Sequence, residues 1–175
     1  KLLIYNEKYL ISCSDDKTIR VGVTLSSHNV QIWDLSTDEC ISTLNQHSKG
    51  VCSICTVDST LISGGADFSI IFACFSFDKK AVEFTNWQAD HFIERHCDVV
   101  SSLCVYQNRY LISTDLSSIV MVKEKASFKV DRDLKNKNRV LYELTLHGAE
   151  VYDSMIFEDR LYTCSKDGSV VVVLW

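Results

Sequence analysis

The sequence predicts an all-β fold of about four repeated antiparallel sheets, and three observations carry that expectation. First, the strings Leu10-Ile11-Ser12, Leu61-Ile62-Ser63, Leu111-Ile112-Ser113 and Leu161-Tyr162-Thr163 begin 51, 50 and 50 residues apart, each behind a polar turn. Second, the apolar residues come in adjacent pairs flanked by strand formers, which calls for cover on both faces, as stacked sheets provide. Third, the strings share flanks. Upstream lie His47 to Val51, His96 to Val100 and His147 to Val151; downstream lie Asp16-Lys17-Thr18-Ile19, Asp67-Phe68-Ser69-Ile70 and Asp167-Gly168-Ser169-Val170. No sustained 3.6-residue period competes, apart from a short turn expected near residues 90–95.

Each repeat reads alike. Residues 51–57 form a first strand, Asp58-Ser59-Thr60 turns, Leu61-Ile62-Ser63 starts a second strand, the Asp67 region turns again, and Ser69-Ile70-Ile71-Phe72 opens a third. The equivalents run from 100 and from 151. The repeats fall at roughly 1–46, 47–95, 96–146 and 147–175, the first without its leading His segment and the last without a fourth strand. The chain also begins with Lys rather than Met, so it reads as part of something longer, a radial array that further blades of the same chain or a second copy would close.

Composition narrows the class. A hydrophobic content of 46%, with 23% charged residues, suits a packed core under a polar surface. No apolar run reaches the roughly 18 residues of a membrane helix, and residues 1–5 are too short for a signal-peptide core. Eight cysteines without a secretory signal read as thiols in a reducing compartment, cytoplasmic or nuclear. Cys52-Ser53-Ile54-Cys55 has the spacing of half a metal site, but it lies in a strand with no second pair nearby, so no metal or other cofactor is expected. Net charge is −5, yet residues 123–139 carry seven basic and three acidic side chains, leaving −9 on the rest. That run is a solvated loop or, more sharply, a docking segment for RNA or an acidic partner.

The stretch from Leu10 to Val21, with Ile32-Trp33-Asp34-Leu35 after an eleven-residue insertion at 22–32, resembles a repeat of the WD40 family ending in its Trp-Asp pair. The second repeat matches from His47 to Ile71 and then shows Ala73-Cys74 in place of Trp-Asp. The third reads as one residue short between Ser113 and Ile119, so that its turn Asp is lost or displaced to Asp115. The fourth has Val173 in the Trp position. The resemblance implies a partial β-propeller of about four blades, each a four-stranded antiparallel sheet. Within the family the pattern is most similar to the WD-repeat propeller of a RING-type TRAF ubiquitin ligase. These residues hold no RING array, so ligase activity would lie outside this chain.

His, Ser and Asp in one repeat suggest a hydrolytic triad, but a catalytic triad occurs once, and no Gly-x-Ser-x-Gly elbow is present. The resemblance implies instead a structural hydrogen-bonded tetrad with Trp, spread over Ser12, Asp16, Trp33, His47, Ser63, Asp67, His96, Ser113, His147, Thr163 and Asp167. With its Asp in doubt, the third blade is expected to be the loosest. No enzyme activity is expected. Function falls to recognition of proteins or peptides: the resemblance points to the residue before each turn Asp, namely Asp15, Ala66 and Lys166. Trp87 and Phe92, aromatic residues in an irregular segment, are further candidate anchors.

Overall fold

The computed structural model describes residues 1–13, 29–74, 76–78, 81–83, 96–124 and 140–174. Asp15, Asp16, Trp87, Phe92, most of the 22–32 insertion, the turn near 90–95 and residues 125–139 of the basic segment lie outside the described residues.

The described residues form four antiparallel sheets in chain order. The first holds β1 (Leu2–Tyr5), β2 (Tyr9–Cys13), β3 (Val30–Asp34) and β4 (Glu39–Leu44); the second holds β5 (Val51–Val57), β6 (Thr60–Gly65) and β7 (Ile70–Cys74). A short hairpin follows, β8 (Ser76–Asp78) with β9 (Ala81–Glu83), paired only with each other. The third sheet comprises β10 (Val100–Tyr106), β11 (Tyr110–Asp115), β12 (Ile119–Glu124) and β13 (Val140–Thr145), and the fourth β14 (Val151–Phe157), β15 (Arg160–Ser165) and β16 (Val170–Leu174). Two sheets thus have four strands and two have three among the described residues; three strands were expected of the fourth sheet, whereas a fourth was expected of the second.

Local sequence explains the meander. At the first hairpin of each sheet, polar residues take left-handed backbone: Asn6 and Glu7, Asp58, Gln107 and Asn108, Glu158 and Asp159. Two consecutive left-handed residues give a tight turn whose twist matches that of the flanking strands. The entry of the first strand is irregular at one place in the second, third and fourth sheets, between Val51 and Ser53, Val100 and Ser102, and Val151 and Asp153. Cys52, Ser101 and Tyr152 are the extra residues of these bulges.

The paired apolar residues divide between two neighbours. Leu61 faces back to Ile11, Val30 and Ile32 of the first sheet, while Ile62 faces forward to Val100, Leu103 and Leu111 of the third. Ile112 of the third sheet then packs on Leu161 of the fourth. Burying each such side chain contributes about 1.5–3 kcal/mol, so the core lies between the sheets. Gly64 is required at one of these seams: a Cβ there would stand 2.5 Å from Val100 Cγ1.

Candidate functional site

Three polar constellations lie at the end of the sheets where β6, β11 and β15 turn into the next strand. His47, His96 and His147 precede the first strand of their sheets, and the second strand runs back to meet them. In the second sheet, His47 Nδ1 lies 2.9 Å from Asp67 Oδ1 and Nε2 lies 2.9 Å from Ser63 Oγ. A carboxylate only accepts, so Nδ1–H donates to Asp67 and Nε2 accepts the Ser63 hydroxyl proton. Asp67 also accepts the N–H groups of Ser48 and Ser69 and the Ser69 hydroxyl. Burial pushes the Asp67 carboxyl up, but hydrogen bonds from Ser69 and His47 outweigh it and hold it below its ordinary value.

The third sheet corrects the sequence reading. Ser63 pairs with Ile71 across the ladder and Ser113 with Met121, so the turn in the third sheet has the same length as that in the second. Its carboxylate has moved two residues, to the last position of β11. Asp115 stands where Gly65 does, opposite Val100 as Gly65 is opposite Val51. Its carboxylate lies 2.8 Å from His96 Nδ1, while His96 Nε2 lies 2.8 Å from Ser113 Oγ. Gly65 makes the exchange intelligible: a Cβ there would lie 2.5 Å from His47 Nδ1 and 2.7 Å from Asp67 Oδ1, the space that Asp115's own side chain fills. The His96 and Asp115 side chains are both 0% exposed. Burial raises the Asp115 carboxyl, and the bonds from His96, the Ile119 N–H and Ser117 reverse the shift to a lowering. The third sheet therefore has the most enclosed network of the three, and the ground for expecting it to be the loosest is gone.

In the fourth sheet His147 Nε2 lies 2.8 Å from Thr163 Oγ1, but Nδ1 is 3.3 Å from Asp167, which is 25% exposed. Ser165 occupies the Gly65 position here, where its hydroxyl donates to Ala149 O at 3.2 Å and accepts the Asp167 N–H at 3.1 Å. Asp167 is held well below the usual carboxylate range by the Ser169 hydroxyl, the Ser169 N–H and the Gly148 N–H. In the first sheet Trp33 Nε1–H donates to Ser12 Oγ at 3.3 Å. Ala73, Lys123 and Val173 share the ladder position of Trp33, so the indole donor is confined to that sheet.

Asp, His and Ser in this order could activate a hydroxyl, but a nucleophile must be reachable. Ser63, Ser113 and Thr163 are all buried, and three copies serve three sheets alike. Their chemistry is the satisfaction of buried donors and acceptors. Among the described residues no group of three or more His, Cys, Asp or Glu can hold a metal ion. Buried Cys55 and half-buried Cys104 have their thiols pushed up by desolvation, Cys104 to about 11, which leaves them unreactive near neutrality.

The loops around the networks form the exposed end of the sheets. Ala66 N–H donates to Gly50 O at 2.8 Å, Leu116 N–H to Val99 O at 3.1 Å and Lys166 N–H to Glu150 O at 3.0 Å. These three residues are equivalent, so Leu116 joins Ala66 and Lys166. The sequence reading missed it because the third turn was counted one residue short. It also missed Phe68, an exposed aromatic at φ 68 with the Lys49 ammonium 5.2 Å from its ring centre. Its equivalents are Ser118 at φ 75 and Gly168 at φ 82. A bulky residue where the fourth sheet uses glycine was the available signal. Lys166 is paired with Glu150 at 2.8 Å.

Comparison with known proteins accords with this geometry. The family model described as "WD domain, G-beta repeat" (WD40) matches residues 4–21 and 38–72. No curated protein matches the chain. Among solved structures the chain is similar to the crystal structure of the computationally designed Ika4 protein, at 15% identity and a TM-score of 0.69, over 97% of this chain and 87% of that one. The family model thus matches segments of the first two sheets, and the four antiparallel sheets fit a partial β-propeller.

Proposed function

We propose that the chain is a non-catalytic protein-interaction scaffold that receives a protein or peptide partner on the end of the sheets formed by the His loops. The observation that carries this reading is the burial of the His and Ser/Thr members of all three Asp–His–Ser/Thr networks. The polar groups capable of chemistry are spent inside the sheets, and what faces solvent at that end is a mixed surface of Lys49, Ala66, Phe68, Leu116 and Lys166. WD40 repeat domains are in general interaction modules of this kind. An aromatic held at positive φ is a rigid anchor whose ordering cost is already met in the free protein. The same proposal places the chain in a reducing compartment, cytoplasm or nucleus, where its buried thiols persist.

The test is affinity capture followed by a binding isotherm for the captured partner. Phe68→Gly and Leu116→Glu should each weaken binding at least tenfold, and Lys166→Glu and Asp15→Lys should change its salt dependence. A partner that binds both Phe68→Gly and Leu116→Glu as tightly as wild type would overturn the assignment of this end. Substrate recognition for a ubiquitin ligase is a narrower form of the proposal, tested by whether the captured partner is ubiquitinated. RNA binding through residues 123–139 is the competing class, and it requires an affinity that falls steeply with salt.

A further inference from the structure

We propose that the partner meets the loop end with a carboxylate beside an apolar side chain, an acidic segment of peptide seated on Lys49 and Phe68. This rests on the scaffold reading above and adds the chemistry of what binds there. Among the described residues the chain stacks a cation on an aromatic ring at three places: Lys8 over Tyr9 at 5.1 Å, Arg109 over Tyr110 at 5.1 Å and Lys49 over Phe68 at 5.2 Å. A carboxylate from the adjoining strand completes the first two. Lys8 Nζ lies 3.4 Å from Asp34 Oδ2, and Arg109 Nη2 lies 2.6 Å from Glu124 Oε1. Ladder register delivers both acids, since Tyr9 stands opposite Asp34 and Tyr110 opposite Glu124. The ring covers one side of each cation, and the acid balances its charge.

Lys49 has the ring without the acid. Among the described residues its ammonium makes no ion pair, whereas Lys166 at the same end is held by Glu150 at 2.8 Å. Lys49 and Phe68 lie in loops outside the ladders, so no neighbouring strand brings a carboxylate opposite them. Asp67, beside Phe68 in the chain, is turned inward to His47 and to the N–H groups of Ser48 and Ser69. Asp98 of the next His loop accepts the Val99 N–H at 2.7 Å.

The ring is available because of what it replaces. Its equivalent in the third sheet, Ser118, donates its hydroxyl to Ala149 O in the His loop of the fourth sheet at 2.8 Å. A phenyl ring has no hydroxyl to donate, so the second sheet does not make that tie to the third, and Phe68 stays 40% exposed. Charge then selects the occupant. A purely apolar segment would cover the ring and leave the ammonium uncompensated, and a basic one would be repelled. An acid next to an apolar side chain answers both groups at once, which is how charge complementarity confers specificity.

Fluorescence anisotropy of the purified chain with three labelled peptide pools tests this. The pools are degenerate hexapeptides with a fixed centre of Leu-Asp, Leu-Asn or Leu-Lys. A single exposed ion pair discriminates modestly, so wild type should favour the Leu-Asp pool over the Leu-Asn pool by about two- to fivefold. The Leu-Lys pool should bind most weakly. Lys49→Met, which keeps an apolar stem over the ring, should level the Leu-Asp and Leu-Asn pools, and Lys49→Glu should make Leu-Lys the preferred pool. Lys49 is exposed, and both variants should show unchanged circular dichroism. A wild type with no preference for Leu-Asp overturns the proposal. So does a Lys49→Met protein that keeps the preference, and so does a failure of every pool to bind. The scaffold reading fails on a different result, full-strength binding of the captured partner by both Phe68→Gly and Leu116→Glu, so the two failures are told apart.

Discussion

Asp67 and Asp115 reach equivalent imidazoles from backbone positions two residues apart, and the difference lies in what stands at the end of the second strand. Where that residue is Gly65, the turn carboxylate can approach His47; where it is Asp115, the strand itself supplies the carboxylate and Ser117 takes the turn position. Asp115→Gly leaves the buried His96 Nδ1–H without its acceptor and should cost about 1–3 kcal/mol. Adding Ser117→Asp should return most of that loss, while Ser117→Asp alone, which sets two carboxylates together, should destabilise. Urea unfolding of the four proteins as a double-mutant cycle reads the coupling directly. Acid gives a second test. The carboxyls of Asp67, Asp115 and Asp167 all lie below the ordinary value of 3.8 in the folded protein. Groups with depressed folded values stabilise fully above the unfolded value, and that contribution is lost as pH falls through the folded ones. The urea midpoint attributable to them should hold from neutrality to about pH 5 and fall below about pH 4; a midpoint that rises on acidification would contradict the networks. The networks of the second and fourth sheets were legible from spacing alone. The third was legible only as an alternative, its turn Asp lost or displaced to Asp115, because linear spacing does not show that positions 115 and 117 approach the same imidazole.

The strands carry the same lesson at larger size. Leu61-Ile62 and Leu111-Ile112 announced cover on both faces, and both pairs are buried between neighbours. The hairpins were legible as polar turns, whereas the bulges at Cys52, Ser101 and Tyr152 were not, since an extra residue in one strand leaves no mark in composition. The doubtful turn of the third sheet supported an expectation of a loose element. Its enclosed His96–Asp115 pair, the Ser101 hydroxyl donating to Val151 O at 2.6 Å and the Ser118 hydroxyl donating to Ala149 O at 2.8 Å tie that sheet to its own loop and to the fourth sheet. Amide hydrogen exchange should therefore find residues 100–122 at least as protected as residues 51–72. Faster exchange across 100–122 would restore the opposite ranking.

At the scale of the whole molecule, sheets one to four stack in chain order, and the order itself assigns roles to surfaces. Interior faces make the core, the two outermost faces are left apolar, and the loop end presents Phe68 and Leu116 over networks whose His and hydroxyl members are buried. The division was only half visible in the sequence, because the surface residues differ from repeat to repeat while the Leu-Ile-Ser pattern of the second strands recurs. The central claim, that the Asp–His–Ser networks hold the sheets and the loops above them bind, is tested most directly by one paired measurement. Ser113→Ala and Phe68→Gly are compared for unfolding free energy and for affinity toward the captured partner. Ser113→Ala should lose about 1–3 kcal/mol of stability while its folded fraction binds as wild type does. Phe68→Gly, which takes up the backbone that Gly168 already adopts, should stay within about 1 kcal/mol of wild type in stability and lose binding. A stable Ser113→Ala protein that no longer binds, beside a Phe68→Gly protein that binds normally, would contradict the assignment of both sites.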